Sequence, residues 1–281
     1  MKKFIFLADL FAEQYTGGAE LTSKAIINYN EENIKKINCA DLNKNFMETN
    51  KDSHWIIGNF SSLSLENKLF ICKNLSYSII EYDYKFCEYR SIEAHRMREN
   101  KECDCLEKEK NKINLALYGL AKKVWFMSEI QRNIFLKNVK SLKKEKTEVL
   151  NSVFSDGDLR FIDSIKNNEK NDTFLIVKSG SWVKGFDETL EYAKSNKIKY
   201  EIVSNLPYHE LLIKLSTSKG LIFLPKGADT CPRLVMEAQM LGCELILNDL
   251  VQHKDEDWAK NSESCRKHME NRAKTFWSFY E

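Results

Sequence analysis

Residues 221–248 read LIFLPKGADTCPRLVMEAQMLGCELILN: an apolar run, a loop, a helical pattern and a second apolar run. Leu221 to Leu224 is a short, continuous apolar run of the kind that forms a strand buried on both faces. Pro225 to Arg233 interrupts it with Pro, Gly and Asp. Pro232 suits the first turn of a helix that runs on to Leu241, and a strand follows over Glu244 to Leu247. Strand, loop, helix and strand at this spacing predict a crossover unit of a parallel sheet.

The same rhythm extends in both directions. Upstream lie a strand over Thr173 to Lys178, a helix over Phe186 to Ser195, a strand over Tyr200 to Ser204 and a helix over Tyr208 to Ser218. Four strands with right-handed crossovers make a Rossmann-like domain. The first half opens on an apolar strand, Lys2 to Ala8, and a helix over Gly17 to Tyr29. Further apolar runs stand at His54 to Gly58, Ser78 to Tyr82 and Val124 to Met127, with helical patterns over Ile113 to Ala121 and Glu129 to Val139. The polar stretch Ser155 to Asp172, with a short helix over Leu159 to Ile165, connects the halves. The expected domains are therefore 1–153, 154–254 and a helical tail, 255–281, whose aromatics Phe276, Trp277, Phe279 and Tyr280 need a surface to cover.

With 281 residues, two α/β domains can each bury a core. Forty-three Lys and Arg nearly cancel 41 Asp and Glu, giving a net charge of +2. No global field then points to nucleic acid. The first ten residues hold only a short apolar run and no cleavage pattern, so a soluble cytoplasmic protein is expected. In a reducing compartment the eight Cys stay free thiols, most of them small buried apolar residues.

Open parallel sheets bind ligands beyond the carboxyl ends of their strands, so the loops that follow the apolar runs carry the chemistry. Thr16-Gly17-Gly18-Ala19-Glu20 opens a helix, where paired glycines let backbone N–H groups approach an anion or a sugar; a plain tight turn reads equally well. No G-x-G-x-x-G occurs, which disfavours a nicotinamide enzyme. Ser179-Gly180-Ser181-Trp182-Val183-Lys184-Gly185 places a lysine where it can neutralise a diphosphate, or simply be solvated. In the third loop Asp229 precedes the helix and Glu237 lies on it in apolar company.

The stretch Asp229 to Asn248 resembles the signature of family-4 glycosyltransferases, an acidic residue followed eight positions later by Glu. GGAE at Gly17 to Glu20, SWVKGFDETLEYA at Ser181 to Ala193 and VWFMSEIQRNIF at Val124 to Phe135 match in the family's order. The resemblance implies a GT-B fold: two Rossmann-like domains facing across a cleft, acceptor side first, donor side second, and the last helix crossing back. It implies retention of anomeric configuration, no metal or other cofactor, and a UDP- or GDP-linked sugar as donor. Glu237 would bind the ribose, Asp229 the sugar hydroxyls and Lys184 the diphosphate, with Gly17 and Gly18 beside them. Thr230 falls in the same donor segment. Asp229 stands where Glu is usual, and Ser181 replaces the family's arginine ahead of the lysine; Lys226 or Arg233 would compensate.

Glu81 to Cys87 ends a first-half strand. Family members often carry a His-Asp pair there; Asp83 matches the Asp, and Tyr82 replaces the His. Asp83 is thus a candidate catalytic residue with Lys184 and Asp229, and Asp83, Lys85 and Arg90 are candidate acceptor contacts. A turn or capping role for Asp83 is the plainer alternative. Cys87, His95, Cys103 and Cys105 are the ligand types zinc selects, at spacings that match no common zinc motif. No metal is assigned: free thiols and an exposed histidine in a mobile loop are the preferred reading, a structural zinc the other. The expected acceptor is a glycan, lipid-linked group or protein; peripheral membrane association and oligomeric state stay open. A nucleotide-sugar-binding module without turnover is the alternative function.

Overall fold

In a computed structural model, which describes residues 3–281, the chain divides into two compact units, 3–153 with 276–281 and 154–275. The first is built on a six-stranded sheet. Its elements are β1 (Phe4–Ala8), α1 (Gly18–Tyr29), β2 (Ile34–Asn38), α2 (Lys44–Thr49), β3 (His54–Ile57), α3 (Leu65–Asn74), β4 (Ser76–Glu81), α4 (Ile92–Glu99), α5 (Lys112–Leu120), β5 (Val124–Phe126), α6 (Glu129–Asn138) and β6 (Thr147–Val149). All strands are parallel, in the order β2-β1-β3-β4-β5-β6.

The central strands are largely buried because helices cover both faces; β1, FIFLA, is apolar and buried at every residue, whereas β4, SYSIIE, also buries Ser78 and Glu81. Edge strand β2, IKKIN, buries only its first residue fully and turns its lysines outward, so it carries no apolar run to be read in the sequence. The stretch around Ile92 to Glu99, read as loop, forms α4 because the Ser91 hydroxyl caps it, accepting from Ala94 N–H at 3.2 Å.

The second unit contains α7 (Asp156–Ile165), β7 (Phe174–Val177), α8 (Phe186–Ser195), β8 (Tyr200–Val203), α9 (Tyr208–Thr217), β9 (Gly220–Phe223), α10 (Arg233–Met240), β10 (Glu244–Leu247), α11 (Ser262–Glu270) and most of α12 (Arg272–Ser278). Its four strands are parallel, in the order β10-β9-β7-β8, around a core that includes Phe174, Ile176, Ala193 and Ile222.

The aromatic tail belongs to the first unit. Phe276 and Trp277 are buried; Trp277 meets Phe4 edge to face at 5.0 Å and donates to Ile26 O at 2.9 Å. Among the described residues no helix is long and apolar enough to cross a membrane.

Candidate functional site

In the second sheet β8 lies on one side of β7 and β9 on the other, so the chain reverses direction between β7 and β9. At such a switch point the loops diverge and leave room for a ligand. The two loops that leave these strands are tied together: Lys226 N–H donates to Val183 O at 2.9 Å. Gly185 makes the approach fit, with φ +60 and a hydrogen where any Cβ would lie 2.2 Å from Leu224 O. Trp182–Lys184 forms a tight 3₁₀ turn, and the Lys184 ammonium emerges 2.6 Å from Asp229 Oδ2 and 5.7 Å from the centre of the Phe223 ring. Asp229 is fixed through its backbone, donating to Leu250 O at 2.8 Å and accepting from Gln252 N–H at 3.1 Å.

Three residues beyond Asp229, Pro232 holds the N-cap position of α10, and one helical turn after Arg233 the Glu237 carboxyl joins a buried polar group. Its Oε1 accepts from Tyr208 OH at 2.8 Å and from Arg233 Nε at 3.3 Å. Arg233 also donates to Tyr208 OH at 3.0 Å, reaches Asp158 Oδ2 at 3.4 Å and lies 3.8 Å over the Phe154 ring. Burial pushes the Glu237 carboxyl up, against the pull of the Arg233 charge. Among the other donor-side candidates, Thr230 is buried, Lys226 pairs with Glu188 and lies over the Trp182 ring, and exposed Ser181 supplies no charge.

The first unit has its own switch point between β1 and β3. Asp9, just past β1, accepts from the Ser62 hydroxyl, from Ser62 N–H at 3.0 Å and from Ser61 N–H at 2.8 Å; burial raises its carboxyl, but these donors, the hydroxyl foremost, outweigh it and hold it below its ordinary value. Gly17 precedes α1, where a Cβ would come within 2.4 Å of Glu20 Oε2 and 2.7 Å of the Tyr15 ring. Gly18 is the first residue of that helix.

Beyond β4, Asp83, Lys85 and Arg90 come together. Arg90 Nε donates to Asp83 Oδ2 at 2.7 Å, and Lys85 Nζ lies 3.2 Å from Asp83 Oδ1 and 2.7 Å from Glu81 Oε1. Burial drives Glu81 up to about 7 in spite of Lys85; Asp83 feels the same burial but is held below its ordinary value by Lys85 and Arg90. The Lys85 ammonium is enclosed, with its side chain 2% exposed, whereas Arg90 keeps 40% of its side chain open. Tyr82 OH is 2.8 Å from Ser23 Oγ on α1.

Cys87, His95, Cys103 and Cys105 gather so that their ligand atoms all lie within 4.8 Å of one another. This corrects the reading of an exposed histidine in a loop: His95 lies on α4 and is fully buried, its ring edge to face with Tyr89 and its Nδ1 3.5 Å from Cys105 Sγ.

No family model and no curated protein matches this sequence. Solved structures do match in fold. Anabaena HepE, crystallised with UDP and glucose, is 11% identical at a TM-score of 0.57, covering 98% of this chain and 96% of its own. UDP-GlcNAc 2-epimerase of Methanocaldococcus jannaschii, in complex with UDP-GlcNAc and UDP, is 14% identical at 0.53, covering 97% and 93%. An alpha-glucosyltransferase in complex with UDP-glucose and DNA is 10% identical at 0.53, covering 96% and 90%. The chain therefore has the GT-B fold, two parallel-sheet α/β domains.

Tyr208, Asp158 and Asp9 were not singled out by the sequence. Asp9 had a signal, since it directly follows the first apolar run. Asp158 carried only the helix-start pattern Ser155-x-x-Asp158 and no sign of the arginine it meets 75 residues on.

Proposed function

We propose that the chain is a glycosyltransferase that moves a sugar from a nucleoside-diphosphate donor, UDP- or GDP-linked, to an acceptor hydroxyl with retention at the anomeric carbon, in the manner of family 4 and without a metal in the reaction. The observation that carries this reading is the Lys184–Asp229 pair at the switch point, with Glu237 on the helix that opens from the same loop.

In this mechanism Lys184 exchanges Asp229 for the donor's diphosphate, which leaves Asp229 to accept hydrogen bonds from sugar hydroxyls while Glu237 accepts from the ribose. Arg233, Thr230 and Lys226 support the anion, and Gly17 and Gly18 supply backbone N–H groups. The anomeric C–O bond to the diphosphate breaks, the acceptor oxygen bonds to that carbon on the same face, and its proton passes to the leaving phosphate. Lys184 and the α10 N-terminus stabilise the negative charge that builds there. Asp83, held ionised by two cations, is a poor base and serves to orient the acceptor through Arg90. The acceptor is a glycan, a lipid-linked group or a protein, and the work is done in the cytoplasm.

The test is a thermal-shift screen across UDP-, GDP-, ADP- and CDP-sugars, followed by assay of nucleoside-diphosphate release with candidate acceptors. Release coupled to a new glycoside of the donor's anomeric configuration is expected. Binding without release, or recovery of an epimerised sugar nucleotide in place of a glycoside, would overturn the proposal.

A further inference from the structure

We infer that Cys87, His95, Cys103 and Cys105 form a structural zinc site that clips the segment following β4 into the shape that presents Arg90 and Asp83. The inference holds whatever the chain transfers.

The geometry fits the ion. Tetrahedral zinc, with Zn–S near 2.3 Å and Zn–N near 2.0 Å, sets a coordinating sulfur and nitrogen about 3.5 Å apart. His95 Nδ1 lies 3.5 Å from Cys105 Sγ and 3.8 Å from Cys87 Sγ, and Cys103 completes the set. Three sulfurs and one imidazole are a donor set that zinc prefers to magnesium or calcium. Four protein ligands leave no open position, so the role is structural.

The surroundings are those of a ligated centre. Glu88 N–H donates to Cys105 Sγ at 3.4 Å, a contact suited to a thiolate. The other imidazole nitrogen, His95 Nε2, is buried without a hydrogen-bond partner and faces Asp104 Oδ1 at 3.6 Å. A small shift closes that contact, and a carboxylate behind a ligating histidine is what fixes its ring and tautomer. Asp104 is held in turn by Lys108 at 3.0 Å and by Lys101.

Ligand spacing explains why no motif is recognised. The order is Cys, seven residues, His, seven residues, Cys, one residue, Cys, and helix α4 supplies the histidine. The clip acts on the acceptor side through one turn. Cys87 N–H donates to Tyr84 O at 2.8 Å, Arg90 N–H to Cys87 O at 3.0 Å, and Arg90 adopts φ +57. From there its guanidinium reaches Asp83 at 2.7 Å and Asn59 at 3.2 Å.

The test is metal analysis of the full chain purified without a histidine tag and without added metal, with native mass spectrometry of the same sample. One zinc per chain is expected. Cys103→Ser and His95→Ala should lose it, Cys72→Ser, outside the cluster, should keep it, and Asp104→Asn should bind zinc about 10- to 100-fold more weakly. Cobalt substituted for zinc should show the visible bands of a tetrahedral thiolate site. A wild-type chain without metal, a disulfide between any two of the four cysteines, an iron–sulfur chromophore, or full zinc content in Cys103→Ser would each overturn the inference; the first three need no variant to fold.

Discussion

Lys184 Nζ stands 2.6 Å from Asp229 Oδ2, so the cation assigned to the diphosphate and the carboxylate assigned to the sugar neutralise each other before any donor arrives. The lysine side chain is 38% exposed, and a pair that open contributes about 1 kcal/mol or less to stability. Removing it should therefore separate catalysis from folding. Lys184→Ala is expected to lower kcat by about 10²- to 10³-fold on a verified donor, the usual effect of deleting one group that stabilises developing charge. Its unfolding midpoint should stay close to that of the wild type. Undiminished turnover in a folded Lys184→Ala protein would end the assignment.

The turn that presents Lys184 depends on Gly185. Its φ of +60 is strained for any L side chain, and a Cβ there would overlap Leu224 O at 2.2 Å. Gly185→Ala should cost about 2 kcal/mol or more and raise KM for the donor as the turn shifts. Gly180, in the same loop, has nothing within 4 Å of a Cβ placed on it. Gly180→Ala is expected to leave stability within about 0.5 kcal/mol of wild type. Equal sensitivity at the two positions, read by urea unfolding, would show that loop conformation does not set the site.

The loops proposed for the donor could be picked out in the sequence because each follows a continuous apolar run, and strand-end loops of a parallel sheet are where ligands bind. Lys184, Asp229 and Glu237 could be picked out on that rule together with the family resemblance. What the chain conceals are partners brought in from afar. Asp158 and Tyr208 meet Arg233 and Glu237 only because α7 and α9 pack near α10; Ser155-x-x-Asp158 marks a helix start, but no local pattern marks either residue as a partner of that pair. Strand β2 was missed because an edge strand with outward lysines has no apolar period. The four proposed zinc ligands were visible as residue types, but only the fold shows that His95, on α4, meets the three sulfurs.

Glu237 and Arg233 form a buried pair, each side chain 3% exposed. Truncating one partner leaves the other charged, buried and short of a ligand, at a cost of about 3 kcal/mol. Glu237→Ala should show that loss in urea unfolding. Glu237→Gln keeps the shape and an acceptor oxygen for Tyr208 and should cost less, while still weakening nucleoside-diphosphate binding measured by calorimetry. If Gln and Ala variants were equally unstable, the carboxylate's main task would be holding Arg233, and its assignment to the ribose would lose support.

Acid should destabilise the second unit through His253. Burial pushes its imidazole down to about 4, while the nearby Asp229 charge pulls weakly the other way. The ring is 1% exposed, and its Nδ1 has no hydrogen-bond partner. An unfolded histidine takes up its proton near pH 6.5. Between about pH 6.5 and 4, then, the unfolded chain binds a proton that folded His253 refuses, so stability is present above 6.5 and falls as pH falls through that window. The loss from this one group is on the order of 3 kcal/mol, and His268, also pushed down to about 4 by burial, adds to it. His253 stacks on Trp258 at 5.3 Å with the rings 5° apart, so Trp258 fluorescence reports on this site. In His253→Phe the stack remains and the titration disappears. Its stability at pH 8 should match wild type within about 1 kcal/mol, and its decline from pH 6.5 to 4 should be visibly shallower. An acid limb as steep as that of the wild type would show that His253 is protonated in the folded protein.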